Sequence, residues 1–288
     1  GGGSTDPDVD TLCHRFAKKG YACASINYRI GVTSYDSLGF IYALVRAVQD
    51  MKAAVRFFYK DRLTTNTYKI DTNNIFVAGS SAGAFMALHY EYLKRSCQVT
   101  EYMSQHTLDS LGGLSGYSGN QCYSEKVNGV VNLCGALGQY GWLEAGDMPF
   151  CSMHGTADNT VNYSRGDVLP TFPLHILVAD GSRMLNQQAQ AVSVQNPFYT
   201  WYGADHVPYV QGGTTSTQAA YMDSTVTFVN QYLLNRLGYS CPTVIAPNTP
   251  YGTATLYPFT NCSSNSTLSC TAAGIKSIKQ NLLQEVYP

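Results

Sequence analysis

Apolar residues follow two different patterns along the chain. Over 40–60 they recur three and four positions apart, which predicts a long amphipathic helix. Elsewhere they form short continuous runs between glycines and polar turns, as in strands that are buried on both faces of a parallel sheet. The runs predicted as strands are 21–30, 74–80, 127–137, 148–155 and 196–203.

Helical patterns separate these runs. Asp6 and Pro7 can start a first helix that ends before Gly20. Strands that alternate with helices predict an α/β fold with a mainly parallel sheet. The pattern stops at Gly238 and is interrupted once by a polar insertion. The further predicted helices are 81–95, 182–194 and 217–238; the predicted units are a domain over 1–238 with an insertion at about 97–127, and a Ser/Thr/Asn-rich tail or linker over 239–288.

Charge and hydropathy exclude several classes of function. The net charge is −1 and 13% of the 288 residues are charged, so no basic surface for nucleic acid is expected. No apolar run approaches the roughly 20 residues that span a bilayer. The opening GGGSTDPDVD has none of the features of a signal peptide, which favours a trimmed N-terminus.

Nine cysteines are many for a chain of this size. They form no CxxC pair and have no histidine at zinc-ligand spacing, so no structural metal site is predicted. Cys97 and Cys122 bracket the insertion, and disulfides there or in the tail would suit an exported protein. Three cysteines within strand-like runs are predicted to be buried thiols: Cys23, Cys134 and Cys151.

The sequence Gly79-Ser80-Ser81-Ala82-Gly83 fits G-x-S-x-G, the pattern of a nucleophile elbow, with Ser81 at its centre. An apolar strand precedes it and a helix follows. A serine on such a turn stands clear of the sheet at a helix N-terminus, and the Ala82 N–H can stabilise an oxyanion. Ser80, one position early, is expected to pack or hydrogen-bond locally.

A serine nucleophile needs a base and an acid, which in this type of site follow it in the chain. HGTADNTV presents Asp158 and WYGADHVPY presents His206, each just past a predicted strand. Asp205 and Asp180 are competing acids. His154 is expected to shape its loop.

With Ser81, Asp158 and His206 in place, residues 4–238 resemble the α/β-hydrolase superfamily, and more narrowly secreted bacterial carboxylesterases of the feruloyl and acetylxylan esterase type. The resemblance is carried by ASINYR, RAVQDMKAAVRFF, VAGSSAGA, HGTAD and GADHVPY. It implies a three-layer sandwich and an acyl-enzyme mechanism without cofactor. The substrate would be a small-molecule or polysaccharide-linked ester.

The family pattern also includes a strand that ends in His-Gly-Gly-Gly before the first helix and supplies a second oxyanion donor. This chain opens with GGGSTDPD at that helix. The resemblance therefore predicts a fold that lacks its N-terminal strands, with the Gly3 N–H as the second donor.

The segment SCTAAGIKSIKQNLLQEVYP, 269–288, resembles the linker to a type IX secretion sorting domain. This agrees with a secreted or cell-surface bacterial protein. Two alternatives to a carboxylesterase stay open. One is a serine peptidase or lactone hydrolase of the same fold, and the other is a carbohydrate-binding or adhesion module on a hydrolase scaffold.

Overall fold

The computed structural model describes residues 3–170, 175–240, 242–248 and 254–263. The predicted secretion linker 269–288, Cys241 and Cys270 lie outside them. The helices are α1 (Pro7–Ala17), α2 (Ser37–Leu63), α3 (Ala82–Tyr92), α4 (Ser96–Thr100), α5 (Gln105–Ser110), α6 (Ser182–Ala191), α7 (Pro208–Gln211) and α8 (Thr215–Arg236). The strands are β1 (Phe76–Ser80), β2 (Gly129–Leu133), β3 (Ala136–Leu137), β4 (Phe150–Gly155), β5 (Arg165–Asp167), β6 (Val178–Gly181) and β7 (Phe198–Trp201).

The main sheet has four strands in the order β1-β2-β4-β7, and every neighbouring pair is parallel. This confirms the predicted α/β fold with a mainly parallel sheet. A second sheet, β3-β6-β5, is antiparallel. Its strands have two to four residues, too short for a hydrophobic period to reveal them.

Side chains from β2 enter cores on both sides of the main sheet. Val130 packs in one hydrophobic cluster and its neighbour Val131 packs in the other. Successive strand residues point to opposite faces, so a strand between two cores is mostly apolar, and its one polar side chain here, Asn132, is hydrogen-bonded. Helices α2 and α3 supply one cluster and α8 supplies the other, which gives the three predicted layers.

The predicted strand at 21–30 is wrong. This segment follows α1 with no strand or helix assignment. A strand is defined by ladder bonds to a neighbour, and here side chains hold the backbone instead. The Arg29 N–H donates to Asp50 Oδ2 at 2.8 Å, and Asn27 Oδ1 accepts from the Ser4 N–H at 2.8 Å. Favourable β propensity therefore does not make this segment a strand.

The insertion and part of the tail are ordered against the domain. Cys97, in α4, is disulfide-bonded to Cys262, which closes a loop of 165 residues. Phe259 packs on the core cluster beside Gly141. A Cβ on Gly141 would lie 1.8 Å from the Phe259 ring.

Cys122 is also disulfide-bonded, whereas Cys134 and Cys151 are buried thiols as predicted. The prediction for Cys23 is wrong, because that thiol lies exposed on the unpaired segment.

The first helix has Pro7 in its first turn, as predicted, but the Asp6 side chain makes no capping hydrogen bond. Among the described residues, no helix combines the length and the apolar character that crossing a membrane requires.

A buried histidine in α3 makes stability depend on pH. Burial lowers the pKa of His89 from 6.5 to about 4. A hydrogen bond to the Phe85 carbonyl raises the pKa but does not offset the effect of burial. The folded state thus keeps the ring neutral while the unfolded chain takes up a proton. This stability is present above pH 6.5 and is lost as pH falls through 4, a loss of about 3 kcal/mol. Urea unfolding of the wild type and His89→Gln at pH 7 and at roughly pH 4 measures it, and the variant should lose less stability on acidification. Equal losses in both proteins would contradict this assignment.

Candidate active site

Ser81 lies at the junction between β1 and α3. Its N–H continues the β1–β2 ladder by donating to the Leu133 carbonyl at 2.9 Å, and its own carbonyl accepts from Phe85 in the first turn of the helix. The backbone turns sharply between these two bonds, with φ 54° and ψ −118° at Ser81. A non-glycine residue in this region is strained, and such residues concentrate at functional sites.

The sharp turn requires one of the two glycines that flank it. A Cβ on Gly79 would lie 2.0 Å from the carbonyl carbon and oxygen of Gly83, which no side chain tolerates. A Cβ on Gly83 would meet nothing within 4 Å. Close packing at the turn therefore requires glycine at position 79 and not at position 83.

Two loops at the carboxyl ends of β4 and β7 carry Asp158 and His206. The Ala157 N–H donates to the Ala204 carbonyl at 2.9 Å, which joins the loops directly. They approach so closely that a Cβ on Gly155 would lie 2.3 Å from the Ala204 oxygen. The glycine of HGTAD is thus required by this contact, which brings Asp158 and His206 together.

Ser81, His206 and Asp158 form a continuous hydrogen-bonded chain. His206 Nδ1 lies 2.7 Å from Asp158 Oδ2, and His206 Nε2 lies 2.7 Å from Ser81 Oγ. A carboxylate only accepts, so Nδ1 carries the proton and Nε2 is left to accept from the serine hydroxyl. The side chain of Asp158 is fully buried and that of His206 is 7% exposed, whereas Ser81 is half-buried. The serine is thus the member of the chain that solvent reaches most easily.

Asp158 is held as an anion. Burial alone would raise its pKa, but hydrogen bonds from His154 and His206 outweigh burial and keep the pKa below the ordinary 3.8. Its other oxygen, Oδ1, accepts the N–H groups of Thr160 at 2.9 Å and Val161 at 2.7 Å. A buried carboxylate with four donors has a fixed orientation as well as a fixed charge.

The competing acids have other partners. Asp205 Oδ1 accepts the backbone N–H groups of Asn159 and His206, at 2.9 and 2.7 Å. Asp180 pairs with Arg165 at 2.8 Å and accepts the Tyr257 hydroxyl at 2.6 Å. The carboxylate on the His206 ring is that of Asp158.

The remaining predicted residues lie near the serine or at α1. Ser80 Oγ lies 2.6 Å from the Tyr209 hydroxyl, the local contact expected of it. Ala82 is the first residue of α3, where N–H groups have no helical acceptor. Gly3 precedes α1, and its carbonyl accepts the Asp6 N–H. The Gly3 N–H as an oxyanion donor stays a prediction.

Sequence reasoning missed two side chains at Asp158. The Cys134 thiol, Asp158 and His206 are buried together, and their potential metal-binding atoms all lie within 4.8 Å of one another. Burial raises the pKa of Cys134, so the thiol keeps its proton at neutral pH. A metal ion would need the deprotonated thiolate as its ligand. His154 lies 3.1 Å from Asp158 Oδ2. Neither position carries a signal in the sequence, because both depend on how the strand ends converge.

The residue after His206 is strained. Val207 has φ 40° and ψ 60°, in the left-handed region that a β-branched side chain rarely adopts. Pro208 follows and begins α7. The histidine is thus followed by a turn that only the surrounding packing can hold.

Comparison with known proteins gives one family match. The family model BD-FAE matches residues 2–137, a range that includes Ser81 and precedes Asp158 and His206. No curated protein matches the sequence.

Several similar solved structures are of esterase 2 from the planctomycete Thermogutta terrifontis. The form phosphorylated by paraoxon has 19% sequence identity and a TM-score of 0.56, over 84% of this chain and 82% of that one. The propionate-bound form has 19% identity and a TM-score of 0.55, with the same coverage of both chains. The butyrate-bound form has 18% identity and a TM-score of 0.57, over 84% of this chain and 82% of that one. Together with the parallel sheet and its flanking helices, this likeness shows that the chain has the α/β-hydrolase fold, which is the fold of these similar structures.

Proposed function

We propose that this protein is a serine carboxylesterase. The observation that carries the proposal is the hydrogen-bonded chain Ser81–His206–Asp158, with 2.7 Å at each link, built on a strained strand-to-helix turn. A serine in this setting has a base within reach and an orienting carboxylate behind it. The turn is that of a nucleophile elbow.

The reaction proceeds in two halves. Ser81 Oγ attacks the ester carbonyl as His206 Nε2 takes its proton, and the same ring then donates that proton to the leaving alcohol. Water repeats the sequence on the acyl-enzyme: His206 takes a proton from the water and returns it to Ser81. Asp158 keeps Nδ1 protonated and balances the positive imidazolium.

The oxyanion of each tetrahedral intermediate needs donors beside Ser81. The Ala82 N–H lies at the N-terminus of α3 and is directed out of the helix. The Gly3 N–H is proposed as the second donor, by analogy with the position of a glycine-rich loop in the family that the sequence resembles. No metal or other cofactor has a role in this scheme.

The proposed substrates are small-molecule or polysaccharide-linked carboxylic esters, with acetyl and feruloyl groups as the candidate acyl groups. The BD-FAE match supports this class. So do the similar structures of an esterase that is bound to propionate or butyrate, which are short carboxylates. The acyl group itself is not specified by the hydrogen-bonded chain.

Hydrolysis rates for p-nitrophenyl acetate, a γ-lactone and a peptide p-nitroanilide test the proposal. The ester should have the largest kcat/KM, and the anilide should react slowest. Faster cleavage of the anilide or of the lactone would favour the peptidase or lactone-hydrolase alternative. A protein that binds polysaccharide and hydrolyses none of the three would be an adhesion module.

We also propose that the protein is exported. The disulfide between Cys97 and Cys262 and the disulfide-bonded Cys122 support an oxidising compartment. Secretion by the type IX route is proposed on the resemblance of 269–288 alone.

A further inference from the structure

A second histidine touches the carboxylate of the proposed catalytic chain. His154 is the fifth residue of β4 and is fully buried. Its Nε2 lies 3.1 Å from Asp158 Oδ2, the same oxygen that accepts from His206 Nδ1 at 2.7 Å. Asp158 therefore lies between two imidazole rings.

The proton on this ring can be placed from its neighbours. His154 Nε2 faces Asp158 Oδ2 and, at 3.0 Å, the Val161 carbonyl. Both groups are acceptors, so Nε2 must carry a hydrogen. An unprotonated Nε2 would leave three lone-pair groups facing one another in a buried site, which is costly.

The other side of the ring is anchored to a buried polar network. His154 Nδ1 lies 2.8 Å from Ser182 Oγ. That oxygen accepts from Asn132 Nδ2 at 2.9 Å, and Asn132 Oδ1 accepts the Gly135 N–H at 3.0 Å. With its oxygen occupied by the amide, Ser182 is left to donate its hydroxyl hydrogen, and the ring nitrogen is closer than its other acceptor, the Gly135 carbonyl at 3.5 Å.

These contacts fix which way the ring points. All of the groups lie at strand ends or at the start of α6, and they are almost inaccessible to solvent. A buried network in which every member has a partner is rigid. The Nε2–H is thus held permanently between the Val161 carbonyl and Asp158 Oδ2.

We propose that His154 is a positioning residue. Its Nε2–H holds Asp158 Oδ2 against the His206 ring and stabilises the negative charge of the Asp158 carboxylate. This inference rests on the proposed function of Ser81, His206 and Asp158. The two rings have different roles. His206 exchanges protons with Ser81, whereas His154 is fully buried and acts only through Asp158. Contacts from His154 and His206 both lower the pKa of Asp158.

Two amide substitutions separate positioning from simple packing. His154→Gln places an N–H near Nε2 and keeps the donor to Asp158. His154→Asn places its amide near Nδ1, which keeps a contact to Ser182 and loses the donor. We expect His154→Asn to lower kcat about 100-fold with little change in KM, as for a misplaced catalytic group. His154→Gln should stay within about tenfold of the wild type.

The pH profile supplies a readout that a structural role would not move. Burial raises the pKa of Asp158, and the donor from His154 opposes that effect. Without the donor, the carboxylate takes up a proton at higher pH. The acid limb of kcat/KM reports the coupled pair, and it should move up by about one pH unit in His154→Asn and stay in place in His154→Gln. His89→Gln, another buried histidine, is the control and should leave the limb unmoved.

Each outcome decides one question. Equal losses in both His154 variants with an unmoved acid limb would assign His154 to packing alone and overturn the inference. If His154→Asn does not fold, Ser182→Ala replaces it; it must move the limb in the same direction by a smaller amount, and an unmoved limb would overturn the inference. Full ester hydrolysis by Ser81→Ala would instead overturn the proposed function. An inactive Ser81→Ala beside unaffected His154 variants would remove only the role of His154.

Discussion

Ser81→Ala should lower kcat for p-nitrophenyl acetate by about 10⁶-fold, as expected when a serine nucleophile is removed. The reason is that His206 Nε2 is aimed at Ser81 Oγ, 2.7 Å away. The substitution removes one atom and keeps a non-glycine residue at φ 54°. The melting temperature should therefore change by no more than a few degrees.

Ser80→Ala is the matched control, because it removes the same atom from the adjacent residue. Ser80 Oγ contacts the Tyr209 hydroxyl at 2.6 Å, whereas Ser81 Oγ lies 2.7 Å from His206 Nε2. Its loss should lower stability slightly and leave kcat within a few fold of the wild type. Steady-state kinetics on the two variants, with thermal melts, checks both. The reverse order of effects would mean that the serine has been assigned to the wrong position.

The second large effect is on stability, at the glycine before the turn. Gly79→Ala places a methyl group 2.0 Å from two backbone atoms of Gly83 and 2.4 Å from the Ala84 nitrogen. Backbone cannot move aside as a side chain can, so α3 must shift away from β1. We expect a loss of about 3 kcal/mol or more in the free energy of unfolding. A shift of about 1 Å at Ser81 would also lower kcat about 100-fold.

Gly83→Ala is the control within the same five residues. Its methyl group meets nothing within 4 Å and falls in the first turn of α3. Alanine is favoured over glycine in a helix, so stability should be unchanged or higher by up to about 1 kcal/mol. Urea unfolding of the two variants measures the difference. Equal costs for both would show that the turn is not as tight as the geometry requires.

Much of the fold could be predicted from the sequence because both sides of the main sheet are covered. Strands such as β2 are then apolar at most positions on both faces, and this pattern is visible without knowing the neighbouring strand. The segment 21–30 shows the limit of that reasoning. Its β propensity is favourable, but a strand also needs a neighbour to bond with, and a sequence does not say which segment that is.

The candidate site was predictable as far as its chemistry follows chain order. G-x-S-x-G and two loops after strands are enough to select Ser81 and His206 and to prefer Asp158 over Asp180 and Asp205. That the Asp158 carboxylate faces the His206 ring is visible only in the structure, because it depends on how the strand ends converge. The sequence predicts that His154 shapes its loop; the structure places it within β4, and its contact with Asp158 depends on how that strand runs into the loop.

The central claim is that Ser81 is a nucleophile that His206 activates. Its most direct test is to treat the protein with a fluorophosphonate and to locate the adduct by peptide mass spectrometry. We predict one adduct per chain, on Ser81, that forms far more slowly in His206→Ala and is absent from Ser81→Ala. An adduct on another residue, or ester hydrolysis that continues in a protein with no adduct, would contradict it.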